Sequence, residues 1–111
     1  MADFVNIVRL QGTVERLHVG NGKRGKYAFA DLKVSDKGKI AVVVWDAGVA
    51  ADLEDCGRGA LVQASGALET RKDAKFKDEG GREAWVIQVV ITKVTLVATP
   101  DEAMAEAPPA F

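Results

Sequence analysis

A chain of 111 residues, 48% hydrophobic and 28% charged, builds one domain around one core and is too short for a two-lobed enzyme. Its net charge of −1 is uneven: Asp101, Glu102 and Glu106 stand without a base in residues 99–111, and Asp46, Asp52, Glu54 and Asp55 form a second acidic block. The remainder is mildly basic and suits a polyanionic partner. No apolar run is long enough to span a membrane and "MADFVNIVRL" lacks the layout of a secretory signal, so no membrane partner and a cytoplasmic location are expected.

Strand signals dominate the chain. "FVNIVRLQGTVERLHV" (4–19) is a long β-type run in which Gly12 suits a bulge or sharp bend. After a glycine-rich loop, "KYAFADLKVS" alternates, with Ala28, Ala30, Leu32 and Val34 on one face and Tyr27, Phe29, Asp31 and Lys33 on the other. The turn "DKGK" leads into "IAVVVWD", a third strand completing a meander. The period then changes. In "AGVAADLEDCGRG", Val49, Leu53 and Cys56 fall at helical spacing, Asp46 fits an N-cap, and Gly57 and Gly59 fit the end of a short helix. "ALVQASGALETR" and "AWVIQVVITKVTLVA" read as two more strands joined by the polar hairpin "KDAKFKDEGGRE". "TPDEAMAEAPPAF" is acidic, contains prolines and has little to pack.

Three strands, a helix and two strands, with a coiled first strand, is the order of an all-β OB-fold: a five-stranded Greek-key barrel with one short helix between strands three and four. An SH3-like barrel is the main rival, but it has no helix at that point. The expected boundaries are a folded domain over residues 1–98 and a flexible acidic tail over 99–111.

Two nucleotide-loop patterns overlap in "GNGKRGK". A dinucleotide fingerprint requires its glycines to open a helix, and here the alternating strand "KYAFADLKV" follows. A P-loop requires Ser or Thr after its lysine, and Tyr27 holds that place. The loop is read as a hairpin turn presenting Lys23, Arg24 and Lys26 to the phosphates of a polymer. One cysteine, Cys56, and one histidine, His18, are too few for a disulfide or a structural zinc site, so no metal or other cofactor is expected. No titratable cluster has catalytic spacing, and no enzyme activity is expected.

"VNIVRLQGTV", "FADLKVSD", "VVVWDAGVAADLEDCGRGALVQASGALETR" and "GREAWVIQVVITKVTLV" resemble the bacterial single-stranded DNA-binding protein family over residues 5–98. The resemblance leaves room for a phage-encoded or primosomal relative. It implies an OB-fold that binds single-stranded DNA without strong sequence preference, as a homo-oligomer (tetramer or dimer), in replication, recombination and repair. Of the family's stacking aromatics it carries over Trp45, whereas Lys37, Lys39 and Asp73 stand where the family often has tryptophan. It also implies a tail that recruits replication or repair proteins, with Phe111 as the partner-binding ring.

The residues support a DNA-binding groove independently, because single strands require cations for phosphates and flat rings for bases. Tyr27, Phe29, Trp45, Phe76 and Trp85 are interleaved with Lys26, Lys33, Arg71, Lys72, Lys75, Lys77 and Arg82. Trp45 is either a stacking ring or a core residue, since both faces of "IAVVVW" are apolar. Trp85 is read as a packing residue, Phe76 as a base contact with a subunit contact as its competitor, and Arg9 as serving DNA or an oligomer interface. An OB-fold adaptor that uses the same surface for protein contacts is the alternative function.

Overall fold

A computed structural model describes residues 4–77, 79–81 and 83–105, with 73–77, 83, 84, 104 and 105 described by backbone alone. Five strands form a closed barrel: β1 (Val8–Gly22), β2 (Gly25–Lys33), β3 (Lys39–Val44), β4 (Leu61–Lys77) and β5 (Glu83–Ala98). Neighbours run in the order β1-β2-β3-β5-β4, and β4 returns to β1. β3 and β5 pair in parallel, the other neighbours antiparallel. This is the expected five-stranded OB-fold barrel.

Alternation decides which side chains fill it. Ala28, Ala30 and Leu32 of β2, Val42 and Val44 of β3, and Val62 and Ala64 of β4 are buried, each two residues from the next. Val14 and Ile91 join them in the interior. Burying a valine, leucine or isoleucine side chain stabilises the fold by about 1.5–3 kcal/mol, and an alanine methyl by roughly 0.8 kcal/mol.

Helix α1 (Ala47–Cys56) lies between β3 and β4 and buries Ala50 and Leu53 against the barrel, mainly toward β2 and β5. Its ends follow the expected chemistry. Asp46 Oδ1 accepts a hydrogen bond from the Val49 amide at 3.0 Å, and the Gly57 amide donates to the Leu53 carbonyl at 3.1 Å with Gly57 at φ 77°. Cys56 is partly buried; burial pushes its thiol up, and Asp52 and Asp55 push the same way. A thiol pushed up in this way holds less of the nucleophilic thiolate at neutral pH than an exposed cysteine does.

Two expectations need correction. The bulge in β1 falls at Glu15, between Val14 and Arg16, and not at Gly12. Gly12 instead sits where β1 passes from β4 to β2, and a Cβ there would stand 2.5 Å from the Lys33 carbonyl oxygen. The polar hairpin over 72–83 is largely strand, because β4 and β5 continue their ladder to Asp73↔Ala84 and Lys77↔Glu83. Backbone pairing there overrides the polar composition. Helix α2 (Pro100–Ala105) follows β5. Thr99 Oγ1 accepts from the Glu102 amide at 3.2 Å and Glu102 Oε1 accepts from the Thr99 amide at 2.9 Å, a reciprocal capping box. Those hydrogen bonds hold the Glu102 carboxyl below its usual range.

Candidate nucleic-acid interface

With Ala28, Ala30 and Leu32 pointing inward, the residues between them face solvent across three neighbouring strands. The register orders them into rungs. Tyr27 lies opposite Gly20 of β1; Phe29 lies between His18 of β1 and Val43 of β3; Asp31 lies between Arg16 and Ala41. Lys33 pairs with Lys39 at the far end. Rungs two residues apart along a strand are separated by about 6.8 Å.

The aromatic rungs touch one another. Tyr27 and Phe29 meet edge to face at 5.4 Å between centroids, and Phe29 and Trp45 meet at 5.6 Å with their planes at 89°. Tyr27 and Trp45 are 6.2 Å apart, and His18 lies nearly parallel to Phe29 at 6.4 Å. Gly20 makes this possible, since a Cβ there would lie 2.5 Å from the Tyr27 hydroxyl. Trp45 follows the last residue of β3 and is 48% exposed, so it is not a core residue. Phe29 is 39% exposed. Beside these rings an open groove of about 580 Å³ is lined by Arg16, His18, Phe29, Asp31, Val43 and Arg58 among others.

The cations named from sequence do not all gather here. Lys23 and Arg24 form the exposed turn between β1 and β2, next to the Tyr27 end of the rungs. Lys26 is engaged by the acidic helix, its Nζ 2.6 Å from Glu54 Oε1. Lys33 is exposed at the opposite end of β2. There Lys39 Nζ lies 2.7 Å from Glu15 Oε2; that hydrogen bond holds the Glu15 carboxyl below its usual range, and Lys33 and Arg16 add to the effect. Arg9 lies elsewhere, in a polar groove with Gln11, Gln63, Ser65, Lys93 and Thr95 on the β1–β4–β5 side.

Arg71 and Lys72 are exposed on the β4–β5 hairpin. Lys72 Nζ stands 5.4 Å from the centroid of the Trp85 ring. Trp85 is 64% exposed, so its reading as a packing residue is corrected. It lies on the hairpin beyond the rungs at which β4 pairs with β1 and β5 with β3. Lys75, Phe76 and Lys77 belong to β4, but their side chains, like the whole of Arg82 and Phe111, lie outside the described residues.

Sequence reasoning missed His18, which was weighed as a metal ligand and not as a ring. Alternation with Leu17 and Val19 puts His18 on one face with Arg16 and Gly20, but the bulge at Glu15 decides that this face is the outer one, opposite to that of buried Val14. Asp31 was placed on the ring face but given no role, and Arg58 was missed because its neighbourhood is made by contacts distant in sequence. Arg58 is anchored there by donating from Nε to the Glu15 carbonyl at 3.1 Å.

A barrel whose exposed β2–β3 face carries rings beside cations has the form used for binding oligomeric nucleic acids. The family model for an OB-fold nucleic acid binding domain (tRNA anti-codon) matches residues 8–97, and the chain belongs to that family. The mitochondrial single-stranded DNA-binding protein Rim1 of S. cerevisiae is similar in structure, with a TM-score of 0.67 and 16% identity over 88% of this chain and 99% of that one. The Plasmodium falciparum SSB in complex with single-stranded DNA is similar with a TM-score of 0.63 and 19% identity, over 87% and 98% of the two chains. At these identities the likeness is one of fold. No curated protein matches the chain by sequence.

Proposed function

We propose that the chain is a single-stranded DNA-binding protein acting, as a homo-oligomer, in DNA replication, recombination or repair. Bases stack on Tyr27, Phe29 and Trp45, and cations at the rims of that face hold phosphates; the reading requires binding and no catalysis. One observation carries it. Three aromatic side chains in mutual contact stand on the solvent side of strands whose other side is the core, so folding alone gives no reason for rings at those positions. The complex of the Plasmodium falciparum neighbour with single-stranded DNA supports the ligand class.

Tryptophan fluorescence titrated with an oligothymidylate tests the reading. Quenching is expected, with affinity falling as salt rises; about five neutralised phosphates give a log–log slope near −3.5, from roughly −0.7 for each. Duplex of equal length binds more weakly, since its bases are already stacked. Unchanged fluorescence together with an unshifted band in a gel overturns the reading.

Exposed Ile87 (71%) and Leu68 on the β4–β5 hairpin support the oligomer. They support the adaptor reading equally. A light-scattering mass separates the two: a multiple of 11.8 kDa favours self-association, and a monomer leaves that face to another protein.

A further inference from the structure

The rung beyond Phe29 is unlike the aromatic ones. Asp31 stands between Arg16 and Ala41 on the outer face, its side chain 30% exposed, and it forms the acidic part of the open groove of about 580 Å³. A volume of that size fits a nucleobase with its sugar. The Phe29 ring and His18, nearly parallel at 12°, border the groove on one side, and Val43 and Ala41 contribute its apolar lining. Arg16 and Arg58 also line it.

The carboxylate is poorly held by its neighbour. Arg16 Nε approaches Asp31 Oδ2 only to 3.9 Å, beyond hydrogen-bond reach, and the Arg16 side chain is 82% exposed. Such a pair contributes little and yields easily to a better donor. In a face otherwise suited to anionic strands, a carboxylate lining the groove repels phosphate and favours hydrogen-bond donors in its place.

Resting on the single-stranded DNA reading, we infer that this groove is a nucleobase pocket in which Asp31 selects bases with two adjacent donors on the Watson–Crick edge, guanine above all. An ionised carboxylate only accepts hydrogen bonds. Guanine presents N1–H and N2–H side by side, matching the two carboxylate oxygens as a guanidinium fork does. Cytosine and adenine present one amino donor beside a ring nitrogen whose lone pair opposes the second oxygen. Thymine presents N3–H between two carbonyl oxygens, both repelled. The aromatic rungs accept any base, because every base has a face to stack. The Asp31 rung adds a preference at one position of the strand, with Arg16 and Arg58 placed to take the adjoining phosphates.

The test compares the affinity of the full chain for an oligothymidylate with that for the same strand carrying one central guanine, hypoxanthine, cytosine or adenine, read by tryptophan fluorescence. The guanine strand is expected to bind on the order of tenfold more tightly than oligothymidylate. Hypoxanthine, which lacks the N2 amino group, loses most of that gain, and cytosine and adenine fall between guanine and thymine. In Asp31→Asn, where one acceptor becomes a donor, the ratio of guanine to thymine affinities falls to about one. Equal binding of all five strands by the wild-type protein overturns the pocket and leaves the DNA-binding reading intact, as does an Asp31→Asn protein that keeps the guanine ratio. Failure to bind any strand overturns both. The hypoxanthine comparison uses the unaltered protein, so it stands whether or not the variant folds.

Discussion

The outer face of β1–β2–β3 and the β4–β5 hairpin carry the same kinds of side chain, rings and cations, on opposite kinds of support. On the face, Tyr27, Phe29 and Trp45 lean on one another at 5.4–6.2 Å above strands whose inner side chains are core. On the hairpin, Trp85 meets Lys72 and stands on a ribbon that has left the barrel: β1 pairs with β4 only as far as Val8↔Gly66, and β3 with β5 through Val42↔Val89 and Val43↔Val90. Beyond that root, Asn6 adds two hydrogen bonds between its side chain and the Leu68 backbone. A two-stranded ribbon is marginal by itself and free to twist. Rings fixed in advance lose less conformational freedom on binding, so affinity belongs chiefly to the face and adjustment to the hairpin.

The largest effect that would break this contrast is on the face itself. Phe29→Ala and Trp45→Ala should each weaken oligothymidylate binding by about 1–3 kcal/mol, measured by fluorescence anisotropy of a labelled strand. The double variant should lose less than the sum, because the two rings touch and the first substitution already disturbs the second. Both are partly exposed, so melting temperature should change little; a collapse in Trp45→Ala would make that ring structural. Next comes Gly20→Val. Its side chain would occupy the space of the Tyr27 hydroxyl, so the Tyr27 ring must swing off the platform, with a loss of about 1 kcal/mol in binding. A crystal structure or nuclear Overhauser contacts showing Tyr27 still against Trp45 would refute the account of Gly20.

Trp85→Ala should cost less than either face ring, about 0.5–1 kcal/mol, the scale of an exposed cation–π contact and a ring with no rigid backing. If it costs more than Phe29→Ala in the same titration, the roles of face and hairpin are reversed. The hairpin would then be the primary site.

How much of this was readable before the structure differs from element to element. The facing of β2 was legible because strict alternation separates Ala28, Ala30 and Leu32 from Tyr27, Phe29 and Asp31, although the strand ends at Lys33 and not at Ser35, and α1 was legible because capping is local. Trp45 was not, because "IAVVVW" is apolar on both faces and parity carries no signal there. The bulge at Glu15 was not legible either: nothing in "GTVERLHV" marks it, yet it sets which residues of β1 join the rungs. Hence the rungs joined by Arg16 and His18 could not be assigned, and the bulge is at Glu15 while Gly12 marks the passage of β1 from β4 to β2. Trp85 was misjudged because an aromatic at the start of a strand is usually packed, and only the length of the hairpin puts it beyond the core. Local chemistry was readable; neighbours made by pairing were not.

The smallest effect concerns charge at the Tyr27 end of the face, where three cations look alike in sequence. Lys23 and Arg24 sit exposed in the turn, whereas Lys26 Nζ is 2.6 Å from Glu54 Oε1, with side chains 30% and 46% exposed. A pair so open to solvent contributes about 0–1 kcal/mol, enough to compete with one phosphate contact but not to forbid it. Replacing Lys23 or Arg24 with Ala should therefore reduce the log–log salt slope of binding by about 0.7, the share of one single-strand phosphate contact. Lys26→Ala should reduce it by less, since in the free protein Lys26 is already neutralised by Glu54. Glu54→Gln should act in the opposite direction, steepening the slope by up to about 0.7 and raising affinity at low salt as Lys26 is released to the strand. Melting curves distinguish this from altered folding, because an exposed pair contributes little to stability. If Lys26→Ala matches Lys23→Ala and Glu54→Gln leaves slope and affinity unchanged, the ion pair opens without cost on binding, and the acidic edge of α1 has no influence on the path of the strand.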